Sequence, residues 1–256
     1  MRIGHVVCGL GLVGGAVGVC VVGYHVALRA LRTAEYSPMH IAVIDNDIAG
    51  VRRLIELGEC VNAQGGKYGY TPLGLATAYR NREIAELLIV SGADVDLASP
   101  LRIAARQGDV EFTTLLLSHG ARVDGAPSAT VSPLFMAATH GQGEVGRLLI
   151  ARGADVNYRS SHVCGATVLR RAAASAPLSL IALMLEKGAR VNEADEGGRT
   201  ALHDAAARGR LDVTRLLVRF GAARDAVDED GHTPASLAKK HGQRDVFKFL
   251  TEDDTE

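Results

Sequence analysis

Residues 192–217 read NEADEGGRTALHDAAARGRLDVTRLL, and the fold follows from the punctuation of that stretch. A polar run ends at Thr200. Its hydroxyl suits a helix N-cap, where it accepts a hydrogen bond from an N–H that no turn of the helix can satisfy. The alanines that follow, Ala205 and Ala206 among them, keep the helix thin. A second apolar phrase, VTRLLVRF from Val213 to Phe220, then runs into Gly221 and Ala222. Gly stands where a second helix must stop in a left-handed conformation. The stretch therefore encodes two short amphipathic helices joined by turns.

Both phrases recur along the chain. Openings of the first kind are SPMHIA at Ser37, TPLGLA at Thr71, SPLRIA at Ser99, SPLFMA at Ser132, TVLRRA at Thr167, TALHDA at Thr200 and TPASLA at Thr233, spaced by 34, 28, 33, 35, 33 and 33 residues. A fixed period of this size signals a repeat array. Where Pro follows the Ser or Thr, it has no amide to lose and its φ is already set for the first turn. The closing phrases place glycines at 58, 92, 120, 153, 188 and 221. Ala104, Ala105, Ala137, Ala138, Ala205 and Ala206 are the small residues on which neighbouring first helices would stack.

These residues resemble the ankyrin repeat, whose TPLH-x-A opening begins a unit of about 33 residues with two helices and a β-turn. The resemblance covers Ser37 to about Leu250 in about seven units, the last a terminal half. It implies an all-α solenoid of helix-turn-helix units with β-turn fingers. It also implies protein partners bound in a concave groove formed by fingers and first helices. The family His stands only at His40 and His203, with Gly74, Arg102, Phe135, Arg170 and Ser236 elsewhere. Units without it should lose a bond that braces the turn and be locally weaker. The last unit carries Lys239, Lys240, Gln243, Arg244 and Lys248 and the acidic tail from Glu252 to Glu256, the polar outer face that a terminal repeat needs.

Three regions result: residues 1–36 with an apolar helix and linker, the repeat domain 37–250, and the acidic tail 251–256. From Ile3 to Leu28 there is no Asp, Glu, Lys or Arg. As a helix at 1.5 Å per residue that run would be about 39 Å long, more than the roughly 30 Å hydrocarbon core. It reads as a transmembrane helix, giving a single-pass membrane protein. A cleaved signal peptide is the alternative, and would make the repeats exported or periplasmic. The run exceeds the 7 to 15 residues usual for an h-region, and the residues before Ala30 and Ala34 suit cleavage poorly. GxxxG pairs at Gly11 and Gly15 and at Gly14 and Gly18 would allow self-association within the bilayer. Arg29 and Arg32 lean toward a cytoplasmic repeat domain by the positive-inside rule, nearly balanced by Arg2 and the amino terminus.

The net charge of −1 gives no electrostatic case for nucleic acid. Cys8, Cys20, Cys60 and Cys164 form no CxxC pair and read as free thiols. No HExxH, GxxxxGK[ST] or GxSxG occurs, so no catalytic residue, cofactor or metal is expected. His119, His140, His203, His232 and His241 fall at recurring positions, and His162 and Cys164 sit in a finger.

The expected function is therefore a membrane-tethered protein–protein interaction module, a scaffold or inhibitor. The family's variable positions fall on Ile44 and Asp45, Ala78 and Tyr79, Arg106 and Gln107, Thr139 and His140, and Ala207 and Arg208. The finger bearing Lys67, Tyr68 and Tyr70 adds to them. The 28-residue spacing between Thr71 and Ser99 leaves the finger after Asp96 nearly absent, while its neighbours, including Pro127–Val131, are full length. A gap should open beside Tyr79, admitting a partner element onto Tyr79, Tyr68 and Arg106. The distal fingers, Tyr158–His162 and Asp228–His232, come next.

Overall fold

The computed structural model describes residues 36–126 and 130–252. The proposed span at 3–28 with its GxxxG pairs, residues 127–129 of one finger, and the tail from Asp253 lie outside the described residues. Within them the fold is all-helical, with fourteen helices and no strand. They come as seven pairs: α1 (Pro38–Ile44) and α2 (Ile48–Glu56), α3 (Pro72–Ala78) and α4 (Arg82–Val90), α5 (Pro100–Gln107) and α6 (Val110–Ser118), α7 (Pro133–Thr139) and α8 (Gly143–Ala151), α9 (Val168–Ser175) and α10 (Leu178–Glu186), α11 (Ala201–Ala207) and α12 (Leu211–Arg219), and α13 (Pro234–Lys240) and α14 (Arg244–Thr251). No helix among the described residues is long and apolar enough to cross a membrane.

First helices pack on first helices, forming one continuous row, and second helices form another behind it. In the second row, α4 and α6 approach each other least. The core between the rows is Leu and Ala, with Leu73, Leu134, Leu202, Leu88, Leu116, Leu149 and Leu217 all fully buried. Ala104, Ala105, Ala137, Ala138, Ala205 and Ala206 are likewise buried completely, because the first helices approach through them.

All seven openings stand at N-cap positions, six of them with the extended backbone that a capping Ser or Thr takes. Thr71, Ser132, Thr167 and Thr233 each accept from the amide three residues on. The six closing glycines all take φ between +79° and +92°. At Gly221 this reversal lets the next amide reach back, so that Ala222 N–H donates to Leu217 O at 3.0 Å and Gly221 N–H to Val218 O at 2.9 Å. Those bonds satisfy carbonyls that the helix end leaves free.

A second regularity fixes the spacing of the units. Asn62, Asp96, Asp124, Asn157 and Asn192, each four residues after one of the first five closing glycines, accept from the backbone N–H of Asp94, Arg122, Asp155, Arg190 and Ala223 in the following unit at 2.8–3.0 Å. Asn differs from Asp by a further bond, since Asn62, Asn157 and Asn192 also donate to the carbonyls of Gly92, Gly188 and Gly221. Lys239, Lys240, Arg244 and Lys248 are exposed on the last unit.

Two expectations need correction. Ser99 begins α5 but makes no side-chain cap, because it sits at φ +56° directly after Ala98 at φ +57°. With no finger to make the turn gradually, the chain reverses through two left-handed residues. Arg170, in the family's His position, does not leave its turn unbraced. Its guanidinium donates to Asp195 in the next finger and, at 2.9 Å, to Asp204 on α11.

Candidate partner-binding cleft

The two histidines that match the family show what a complete finger needs. His40 Nδ1 accepts from Ser37 N–H at 3.3 Å, and Nε2, which must then carry the proton, donates to Tyr70 O at 2.8 Å. His203 repeats this between Thr200 N–H at 3.2 Å and His232 O at 3.1 Å. Each ties the start of one unit to the finger of the next. Burial pushes both imidazoles below their ordinary pKa, against the opposing pull of the backbone carbonyls, so the neutral form is the native one.

His40 thereby fixes the finger that carries Tyr68 and Tyr70, whose ends meet through the Gly65–Tyr70 bridge. The tyrosine rings lie edge to face with centroids 6.0 Å apart, and Lys67 Nζ is 5.7 Å from the Tyr68 ring. Tyr68 is 73% exposed. Opposite stands α5. Because no finger fills the space after Asp96, a cleft of about 290 Å³ lies between the tyrosines and α5, lined by Arg102, Ile103 and Arg106, with Met136 of α7 and the Ala98–Ser99 turn completing it. A second trough of about 630 Å³ continues past the same turn toward Asp94, Asp96 and Arg122.

The electrostatics of the two differ. Asp96 pairs with Arg122 at 3.6 Å within the second trough. The first is lined by no carboxylate, and neither Arg102 nor Arg106 forms an ion pair among the described residues. Arg102 also acts on Tyr158, whose phenol is pushed up by burial and then by Asp124, and pulled back by Arg102.

The structure thus brings together Tyr68, Tyr70 and Arg106 and separates them from the other candidates. The gap does not open beside Tyr79: this residue is the C-cap of α3, 55% exposed, and outside the lining of the cleft. Gln107 is occupied structurally, its Nε2 donating to Ala78 O at 2.8 Å. Thr139 and His140 bond back to their own helix at Phe135 O and Met136 O. Asp45 and Arg208 are exposed, and Ile44, Ala78 and Ala207 are half-buried. Sequence reading missed Arg102, Ile103 and Met136 as lining residues. The available signal was the spacing of Arg102 and Arg106, one helical turn apart on the helix that faces the shortened finger.

Asp228, Asp230 and His232 of the last finger lie close enough to share an ion. Asp228 is already engaged, however, accepting from Arg199 Nε at 3.2 Å and from His232 N–H at 2.8 Å.

A family model described as ankyrin repeats in three copies matches residues 19–99, 96–160 and 165–256. Its first copy thus begins inside the apolar N-terminal run. Among curated proteins, the chain is 39% identical over 89 residues to the mouse nuclear factor NF-kappa-B p105 subunit, covering 32% of this chain and 9% of that protein. It is 41% identical over 61 residues to a putative ankyrin repeat protein of fowlpox virus, FPV240, covering 24% of this chain and 15% of that one. The chicken p105 subunit is 37% identical over 91 residues, again 9% of its length. The matched part is therefore a small fraction of each relative.

Proposed function

The chain belongs to the ankyrin-repeat family, and on that footing we propose that it is a protein–protein interaction module that holds its partner in the cleft between the Tyr68–Tyr70 finger and α5. The observation that carries this reading is the interrupted finger row. Where a full finger would cover α5, the Ala98–Ser99 turn leaves Arg102 and Arg106 facing two tyrosines. Tyr and Arg are, with Trp, the side chains enriched among residues whose truncation costs about 2 kcal/mol or more at interfaces.

Crosslinking in the protein's own cells identifies the partner. Its affinity is then measured for Tyr68→Ala/Tyr70→Ala, for Tyr79→Ala and for Arg219→Ala, which lies on a second helix. The double variant should bind at least tenfold more weakly and the other two as the parent does. Equal affinities for all would exclude the cleft.

The module works at a membrane, with residues 3–28 as its anchor and the repeats on the cytoplasmic side. The support is the charge-free 26-residue run and the arginines that follow it. The full chain should stay with membranes in high salt and carbonate, whereas a chain beginning at Tyr36 should be released. Protease protection reads the side. Release of the full chain by carbonate would instead favour residues 19–28 belonging to the repeat stack.

A further inference from the structure

We propose that the occupant of this cleft is an extended segment of a partner protein bearing carboxylates at alternate positions, an acid–apolar–acid sequence. The inference rests on the cleft being the partner site and adds the chemistry of what enters it. Arg102 and Arg106 are four residues apart on one helix, so their stems are offset by about 6 Å along its axis. An extended peptide presents every second side chain to the same side, about 6.6–6.8 Å apart. The two spacings match, and adjacent acids do not fit because they point to opposite sides. The residue between the acids then faces the other wall, where Tyr68 and Tyr70 offer aromatic surface.

Charge favours this occupant. Arg102 and Arg106 form no ion pair among the described residues, Lys67 places a third cation 5.7 Å from the Tyr68 ring at the edge of the cleft, and no carboxylate is among the described residues that line it. Guanidinium binds carboxylate through two parallel N–H···O bonds, which favours a directed acid over diffuse negative charge.

The test uses the full chain in detergent micelles and two fluorescein-labelled peptides of one composition, Gly-Ser-Ala-Glu-Leu-Glu-Ala-Ser-Gly and Gly-Ser-Ala-Leu-Glu-Glu-Ala-Ser-Gly. The alternating peptide should bind at least threefold more tightly by fluorescence anisotropy, and Arg102→Ala/Arg106→Ala should lose at least tenfold of that affinity. Arg102→Lys/Arg106→Lys, which keeps the charge, should lose less and should narrow the preference between the peptides. Equal binding of both peptides, no binding of either, or binding untouched by arginine removal would overturn the proposal. The captured partner separates this from the parent reading. If Tyr68→Ala/Tyr70→Ala releases it and Arg102→Ala/Arg106→Ala does not, the cleft stands and the acidic ligand falls; if neither releases it, both fall.

Discussion

His203 is buried completely with its ring bonded at both nitrogens, and it makes stability depend on pH. Burial holds its pKa down; the Asp228 and Asp204 carboxylates oppose that shift and Arg199 supports it. The unfolded chain takes up a proton near the ordinary value of about 6.5, while the native ring refuses it until lower pH. The unfolded state then binds more protons, so stability is full above about 6.5 and declines as pH falls toward the native pKa. His40 adds to the same trend. A plot of melting temperature against pH should fall as pH drops below about 6.5 for the parent. It should flatten in His40→Gln/His203→Gln, whose neutral-pH stability should also drop by about 1–3 kcal/mol for each buried partner left unmet. Identical slopes would remove these imidazoles as the cause. At Ala205 and Ala206 the constraint is volume. Both are fully buried, and Leu at either position should cost about 1–3 kcal/mol by overpacking, read as a lower urea midpoint.

At the scale of elements, caps and stops were legible because each depends on chemistry within a few residues: a hydroxyl beside a free amide, a Gly where φ is positive. Ser99 was misread for a related reason. Its sequence is that of a cap, but the residues that would have carried the finger before it are missing, and the backbone must turn through Ala98 and Ser99 at φ +57° and +56°. An L-residue in that region costs roughly 1–2 kcal/mol. Replacing Ala98 by Gly removes that cost and returns about 0.5–1 kcal/mol of it through greater freedom in the unfolded chain. Ala98→Gly should therefore raise the urea midpoint modestly, and Ala98→Val should lower it. A lower midpoint for the Gly variant would mean that the turn is not strained. The brace at Arg170 was illegible for a different reason. Its partners, Asp195 and Asp204, lie 25 and 34 residues away, and only the stacking of units brings them together.

Over the whole molecule, the finger row is continuous toward the C-terminus and broken between the second and third helix pairs. Arg159 pairs with Glu193 at 3.2 Å, Arg170 with Asp195, and Arg199 with Asp228 at 3.2 Å. Backbone bonds of 3.0 Å from Glu196 N–H to Cys164 O and from Glu229 N–H to Gly197 O join successive fingers. Around Ala98 there is no finger to continue the row, and α4 and α6 are the least closely approached second helices. In a solenoid, stability is approximately a sum of unit terms and nearest-neighbour interface terms, so a weak interface divides the array. Hydrogen exchange should show the amides of α9–α12 opening less often than those of α4 and α6. The place where the stack opens most easily is then the place that offers the proposed partner cleft. Arg170→Ala tests the argument from the other side. Removing one partner of a buried pair costs about 3–5 kcal/mol, and side chains still 8% to 14% exposed should put the loss toward the lower end of that range. Protection should fall in α9–α12 and leave α1–α4 unchanged. A uniform fall across all units would mean that the array unfolds as one body, and that the interrupted finger row does not divide it.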